Sequence, residues 1–256
     1  MVADIHLGNV SKTFPAKAGK VEALGGINLD VGRHEFVSVL GPSGCGKSTL
    51  LRIVAGLIPP SGGDVLVRGQ KIDGPSAEVG IVFQSPVLLP WRTVLENIEL
   101  QVEVRHLDRA ASRQKARELI SLVGLDGFAD SYPYQLSGGM QQRVSLCRAL
   151  IHDPSLLLMD EPFGALDAMT REHMGLELQR VWMERQKTVL FITHSIAEAV
   201  FLSDRIVVMS ARPGRIEEII TVDIPRPRGM DAMKDPRFHT AVDRARKLMH
   251  AAGLPE

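Results

Sequence analysis

The stretch GPSGCGKST, Gly41 to Thr49, constrains this chain more than any other. It fits the pattern Gly-x-x-x-x-Gly-Lys-Ser/Thr, with Gly41, Gly46, Lys47 and Ser48 at the fixed places. HEFVSVL ahead of it reads as a strand, and KSTLLRIVAGL behind it has helical spacing. A strand that turns through glycines into a helix aims bare backbone N–H groups, at the positive end of the helix dipole, at one point in space. That is a polyphosphate cradle. Lys47 would place a point charge on the β- and γ-oxygens, and Ser48 would offer a hydroxyl to Mg²⁺.

The rest of the pattern agrees with an α/β fold. Residues 3 to 40 read as strands (HLGNVSKTF, VEALGGINLDV, HEFVSVLG), with breaks expected at Pro15, Gly25 and Gly32. GDVLVRGQKI and VGIVFQ are further strands, and from about Trp91 to Ile151 the pattern turns helical. SLLLMD and TVLFITH are apolar without alternation, as parallel strands covered on both faces are. A helix over Thr170 to Glu184 lies between them, DRIVVMSARPGRIEEIITVDI reads as a hairpin turning at Pro213-Gly214, and Asp235 to Met249 can form an amphipathic helix. The expectation is a P-loop NTPase core of mostly parallel sheet and helices, with an N-terminal antiparallel β part and an inserted helical sub-domain. Residues 1–90 would hold the β part and the first half of the core, 91–151 the helical sub-domain, 152–225 the second half of the core, and 226–256 a helical tail.

Composition removes some classes. Lys plus Arg and Asp plus Glu are each 30, so the net charge is +0, which argues against a partner that is nucleic acid. Cys45 and Cys147 do not make a disulfide framework, and a reducing compartment is expected. MVADIHLGNVSKTF lacks the apolar run of a signal peptide, and no window approaches a membrane span, so the chain is expected to be soluble alone.

Three further places carry chemistry. In LLLMDEP, Asp160 leaves an apolar run to hold Mg²⁺, with Glu161 one residue on. The competing reading, two solvated acids at a strand end, fits poorly with the apolar run before them and the proline after. His194, in FITHS, ends the next parallel strand, where open α/β sheets face their ligand crevice. LSGGM, with Ser137, Gly138 and Gly139 ahead of a long helical pattern, makes a second anion cradle. Two cradles could serve two ligands, or one could reach a nucleotide held by another subunit. The residues alone permit both.

GPSGCGKST, Gln84 in VFQS, LSGGM, LLLMDEP, FGALD and FITHS stand in the order and spacing of ABC-transporter ATPase subunits, and the resemblance covers nearly the whole chain. It implies ATP hydrolysis in a head-to-tail dimer of two copies of the chain. Each ATP would lie between one subunit's loop (Gly41, Pro42, Ser43, Gly44, Cys45, Gly46, Lys47, Ser48, Thr49) and the other's Ser137, Gly138 and Gly139. By the same resemblance Ser48, Gln84 and Asp160 attend Mg²⁺, Glu161 is the general base and His194 contacts the γ-phosphate. Asp167, in FGALD, lies at the dimer interface. Phe14 sits where the family stacks an aromatic on adenine; the alternative is a strand core residue. The signature departs from the commoner LSGGQ. Because the anion contacts come from Ser137 and backbone N–H groups, Met140 is not expected to abolish binding.

Leu88-Leu89-Pro90-Trp91 either packs in the core of the helical insert or forms an exposed groove for a short helix of a membrane partner, with Thr93 capping the helix that follows. PWRTVLENI, SARPGRI and VDIPRPR resemble the nitrate/sulfonate/taurine subgroup of importers. That implies a peripheral subunit on the cytoplasmic face of the plasma (inner) membrane, docked near Leu89, Pro90 and Trp91 to a transmembrane permease. A periplasmic or extracellular solute-binding protein would act indirectly, and the cargo would be a small anionic solute such as nitrate, sulfonate or taurine. The alternative is a subunit of an exporter or lipid-transport complex. Chromosome ATPases insert long coiled coils between the two cradles, and the short insert here has no sustained heptads. Cys45, at a helix start beside Lys47, is either an unusually reactive thiolate or a residue tolerated for its size.

Overall fold

The computed structural model describes residues 3–16 and 19–252, so the last four residues of the 226–256 tail lie outside the described residues. In chain order the strands are β1 (Ala3–Ala16), β2 (Gly19–Gly32), β3 (Phe36–Leu40), β4 (Gly62–Val67), β5 (Gln70–Lys71), β6 (Val79–Val82), β7 (Leu156–Asp160), β8 (Thr188–Ile192), β9 (Arg205–Met209) and β10 (Ile216–Thr221). The helices are α1 (Lys47–Val54), α2 (Val94–Val104), α3 (Arg109–Leu122), α4 (Gly138–Leu150), α5 (Ala168–Arg185), α6 (Ile196–Leu202) and α7 (Pro236–Ala251).

An antiparallel sheet of order β2-β1-β4-β5 lies beside a six-stranded sheet of order β10-β9-β3-β8-β7-β6. In the second sheet only β10 runs antiparallel to its neighbour. Strands β3, β7 and β8 are buried at every position, and mostly apolar, because both faces are covered. Leu157, Met159, Val189, Phe191, Ile206 and Val208 belong to the core shared with α2, α3, α4, α6 and α7. Leu156, Leu158, Leu190, Ile192 and Val207, one residue out of phase, face α1 and the antiparallel sheet. Each such side chain contributes roughly 1.5–3 kcal/mol on burial, so a one-residue slip in register would forfeit two cores together.

Two expected breaks do not occur. β1 runs through Pro15, which pairs with Lys20 near the hairpin end, and β2 runs through Gly25. Gly25 instead anchors β2 to the turn between β9 and β10: its N–H donates to the Gly214 carbonyl at 3.0 Å, and the Gly214 N–H donates to the Ala23 carbonyl at 3.0 Å. A glycine that reads as a break from local propensity is here the point where two backbones meet.

Helix starts separate into two kinds. Six helices of the described residues begin at a Thr, Asp or Ser whose side chain accepts from the first turn: Thr93, Asp108, Ser137, Asp167, Ser195 and Asp235. Thr93 forms the expected cap of α2, as a full capping box with Glu96. Of the seven α-helices among the described residues, only α1 starts without a side-chain cap, at Gly46. The orphan N–H groups of that helix are the ones the phosphate loop presents.

The tail is fastened by a buried cation. Arg228, 1% exposed, donates to the carbonyls of Ile224, Val200, Phe201 and Ser203, so its acceptors include the C-terminal end of α6. Gln179 on α5 brackets its backbone, accepting from the Arg228 N–H and donating to its carbonyl, both at 2.8 Å. Burial pulls this guanidinium down to about 10.

Candidate active site

The phosphate loop is built from both sheets. β3 delivers Gly41, whose missing side chain is required because a Cβ would come within 2.8 Å of Cys45 Sγ. Gly46 has a φ of 105°, and a Cβ there would meet the Ala23 carbonyl oxygen of β2 at 2.8 Å. Lys47 is buried, and its ammonium donates to the carbonyls of Gly41 at 2.7 Å and Pro42 at 3.0 Å. Ser43 and Gly44 are exposed, and Ser48 and Thr49 half-buried, at the open side of the loop.

Two strands bring the carboxylates to this loop. Ser48 Oγ donates to Asp160 Oδ1 at 3.1 Å, joining the start of α1 to the end of β7. Burial, seconded by the charge of Glu161, raises the Asp160 carboxyl above its usual range, against the Ser48 hydrogen bond and the charges of Arg52 and Lys47. Glu161 adopts a left-handed backbone with φ 47°, a costly geometry for a non-glycine residue, and its N–H donates to the Ile192 carbonyl at 2.9 Å. One of its oxygens is shared. Gln84 Nε2 donates to Oε2 at 3.1 Å, and His194 Nδ1 lies 3.4 Å from the same atom. Gln84, Glu161 and His194 therefore converge although they come from β6, β7 and β8.

Ser137, Gly138 and Gly139 lie elsewhere. Ser137 caps α4, accepting from the Met140 N–H at 3.3 Å, and it and Gly138 are exposed. Among the described residues no hydrogen bond joins them to the phosphate loop. A Cβ on Gly139 would stand 3.0 Å from Leu166, so the second cradle abuts the turn that carries Asp167. Met140 turns inward and packs against the core. Asp167 caps α5, accepting from the Thr170 N–H at 3.0 Å and its hydroxyl at 2.6 Å; those bonds hold its carboxyl below the usual range.

The remaining expectations divide. Phe14 is 37% exposed, with Lys12 Nζ 5.1 Å from its ring centre, so it is not a core residue. Trp91 is 70% exposed and Pro90 exposed too, which excludes core packing for both, while Leu88 and Leu89 are half-buried. Cys45 departs from the reactive-thiolate expectation. It is 1% exposed, and burial pushes its thiol up despite the ammonium of Lys47, because losing solvent outweighs one neighbouring charge. Cys147 is buried and raised as well.

Sequence reading missed the side chains that fix these loops. Arg212, in the hairpin turn, donates to the Gly44 carbonyl at 3.1 Å. Gln142 and Arg148 on α4 donate to the carbonyls of Phe83, Pro86 and Val87. Asn97 on α2 holds Leu89 in both directions, at 2.8 and 3.1 Å. The loop after Gln84 is therefore knitted to α2 and α4. Buried polar residues within amphipathic helices were the only signal for this in the sequence.

A strand–loop–helix phosphate cradle beside a carboxylate pair, at the carboxyl ends of parallel strands, defines a P-loop NTPase. Residues 24–164 match the profile of the family described as ABC transporter. The chain is 52% identical over 228 residues, 89% of this chain and 85% of the relative, to an uncharacterized ABC transporter ATP-binding protein of Methanocaldococcus jannaschii. It is 46% identical over 228 residues, 89% of this chain and 90% of the relative, to an aliphatic sulfonates import ATP-binding protein of Bacillus cereus. A solved ATP-binding cassette, described as dimeric and in a post-hydrolysis state bound to ADP and Pi, superposes with a TM-score of 0.79 at 35% identity, covering 86% of this chain and all of that one. The chain belongs to the ABC transporter family, as its ATP-hydrolysing, ATP-binding subunit. No helix of the described residues is long and apolar enough to cross a membrane.

Proposed function

We propose that two copies of this chain close head to tail on two ATP molecules and thereby power an importer of a small anionic solute, with aliphatic sulfonates as the first class to test. The observation that carries this reading is the placement of the two cradles. Each presents a helix start, yet within one chain they do not meet, and the second is exposed. A second subunit's nucleotide gives it a ligand.

In this reading Lys47 and the amides of residues 41–49 grip the β- and γ-phosphates, and Phe14 offers its exposed ring to adenine. The donor set of Ser48 hydroxyl, Asp160 carboxylate and Gln84 amide is all oxygen and suits Mg²⁺, which would neutralise charge on the phosphates. No cluster of three or more His, Cys, Asp or Glu that could hold a metal occurs among the described residues, which fits an ion bound largely through phosphates. Glu161 takes a proton from the attacking water, and Gln84 and His194 orient its carboxylate. His194, 60% exposed, is free to meet the γ-phosphate, and Asp167 to meet the partner subunit.

The permease is proposed to dock beside Leu89, Pro90 and Trp91, on the cytoplasmic face of the membrane. A cavity of about 400 Å³ there is lined by Val87, Leu89, Leu100, Arg105, Arg148 and His152. The bonds from Asn97, Gln142 and Arg148 make the loop after Gln84 move with residues 91–151, the proposed helical sub-domain, so a pull at Gln84 reaches this edge. Import is supported by relatives such as the aliphatic sulfonates import subunit of Bacillus cereus.

Glu161→Gln tests the sandwich. Turnover should fall roughly 10²- to 10⁴-fold while MgATP still binds, and an ATP-dependent dimer should accumulate in light scattering. A variant that stays monomeric with saturating MgATP would remove the head-to-tail reading. Direction is read separately: ATPase activity of the permease-bound complex should rise when an extracellular solute-binding protein is added, and indifference to that protein would favour export.

A further inference from the structure

Two turns far apart in the chain, Leu166–Asp167 ahead of α5 and Thr193–His194 ahead of α6, are joined by side chains. Arg171, in the first turn of α5, donates from Nη2 to the Leu166 carbonyl at 3.1 Å. Its Nε stands 3.4 Å from Glu198 Oε1. Glu198 Oε2 accepts from the Thr193 hydroxyl at 2.5 Å. The Thr193 oxygen accepts from the Ser195 N–H at 3.0 Å, and the Ser195 hydroxyl accepts from the Glu198 N–H at 3.3 Å. These contacts run from the Asp167 turn to the residue beside His194, with hydrogen bonds at both ends and an ion pair in the middle, since Arg171 Nε has no hydrogen-bond partner among the described residues.

Leu166 and Phe201 share one apolar core, but packing beside the charged pair is incomplete. A cavity of about 260 Å³ opens between α5 and α6, lined by Phe163, Ala168, Gly175, Ser195 and Phe201 together with Arg171 and Glu198 themselves. The charged pair therefore spans a gap that apolar contact leaves unfilled. The Glu198 side chain is 14% exposed and that of Arg171 33%, so the pair is screened less than a surface pair. One guanidinium can hold a carbonyl and a carboxylate at fixed angles; an ammonium in its place is a single point charge and cannot fix both.

We propose that Arg171 and Glu198 are positioning residues for ATP hydrolysis, fixing the Asp167 turn to the His194 turn so that a displacement of one is passed to the other. This rests on the reading in which Asp167 meets the partner subunit and His194 the γ-phosphate. Arg171 touches no reacting atom; it acts through His194, whose Nδ1 lies 3.4 Å from Glu161. The approach of the partner subunit would in this way adjust the residue that shares a carboxylate oxygen with Gln84.

The test is a double-mutant cycle on the whole chain, with Arg171→Lys and Thr193→Val made singly and together, and kcat and KM for ATP measured for each. Arg171→Lys keeps a positive charge beside the buried Glu198 and so protects the fold. Each single change should lower kcat roughly ten- to a hundredfold, with KM changed by less than about twofold. The double variant should be no worse than the worse single one, because both act along one chain of contacts. Losses that multiply, a normal kcat, or an effect confined to KM would overturn the proposal. Thr193→Ser, which keeps the hydroxyl, should restore kcat, and its failure to do so would count equally against it. ATP-dependent dimerisation of Glu161→Gln is measured alongside. A chain that forms no dimer fails the sandwich, whereas a normal dimer with multiplying losses fails only the coupling of the two turns.

Discussion

The two anion cradles use the same backbone chemistry in opposite settings. The first is locked into the molecule: β2 abuts Gly46, the hairpin turn holds Gly44 through Arg212, and Lys47 is buried against loop carbonyls. Its helix is also the one that starts without a side-chain cap. The second stands at the surface, and its helix is capped by its own Ser137. A site that must hold a ligand through a cycle is preorganised and left electrically unfinished, so the phosphate completes it. In the proposed sandwich the second site closes on a ligand held elsewhere and must be stable by itself, which the Ser137 cap provides.

Breaking the first cradle should have the largest effect. Lys47→Ala is expected to abolish measurable turnover and weaken ATP binding by roughly a hundredfold or more, read by nucleotide titration of the isolated chain. Unaltered affinity would mean that the loop amides alone carry the grip. Breaking the second cradle should be milder and split in character. Ser137→Ala should cost about 1 kcal/mol of stability through the lost cap, seen as a small fall in the thermal midpoint. ATP affinity of the isolated subunit should be unchanged while ATP-dependent dimerisation weakens. A loss of monomer affinity equal to the loss of dimer would show both cradles acting on one nucleotide within a single chain.

This contrast also marks what the sequence could reveal. Gly41, Gly46, Lys47 and Ser48 were legible because strand, loop and helix lie within a few residues of one another. Asp160, Glu161 and His194 were legible because they end unalternated runs. Ser137 could be placed at a helix start, and its capping bond is local. What could not be read were effects set by distant neighbours. Burial decides the state of Cys45, and the hairpin turn at Gly214, far away in the chain, stands against its carbonyl. Gly25 looked like a break because its partner, Gly214, is remote. In the sequence nothing separates Arg148, Arg171 and Arg212 from surface charges. Their acceptors are mostly main-chain carbonyls, which carry no residue identity in a sequence.

Arg228 carries a consequence for the order in which the molecule is made. The carbonyls it satisfies at the end of α6 belong to residues 200, 201 and 203, which leave the ribosome before it does. At ordinary elongation speeds of about 5–20 residues per second, those carbonyls wait a second or more, with water as their partner. The helix behind His194 therefore has no finished end while the chain is still being synthesised. The residues of the phosphate loop are made long before this, but β8, β9 and the Arg212 turn that hold them are not, so the grip on ATP and the means of spending it are finished together, late in synthesis.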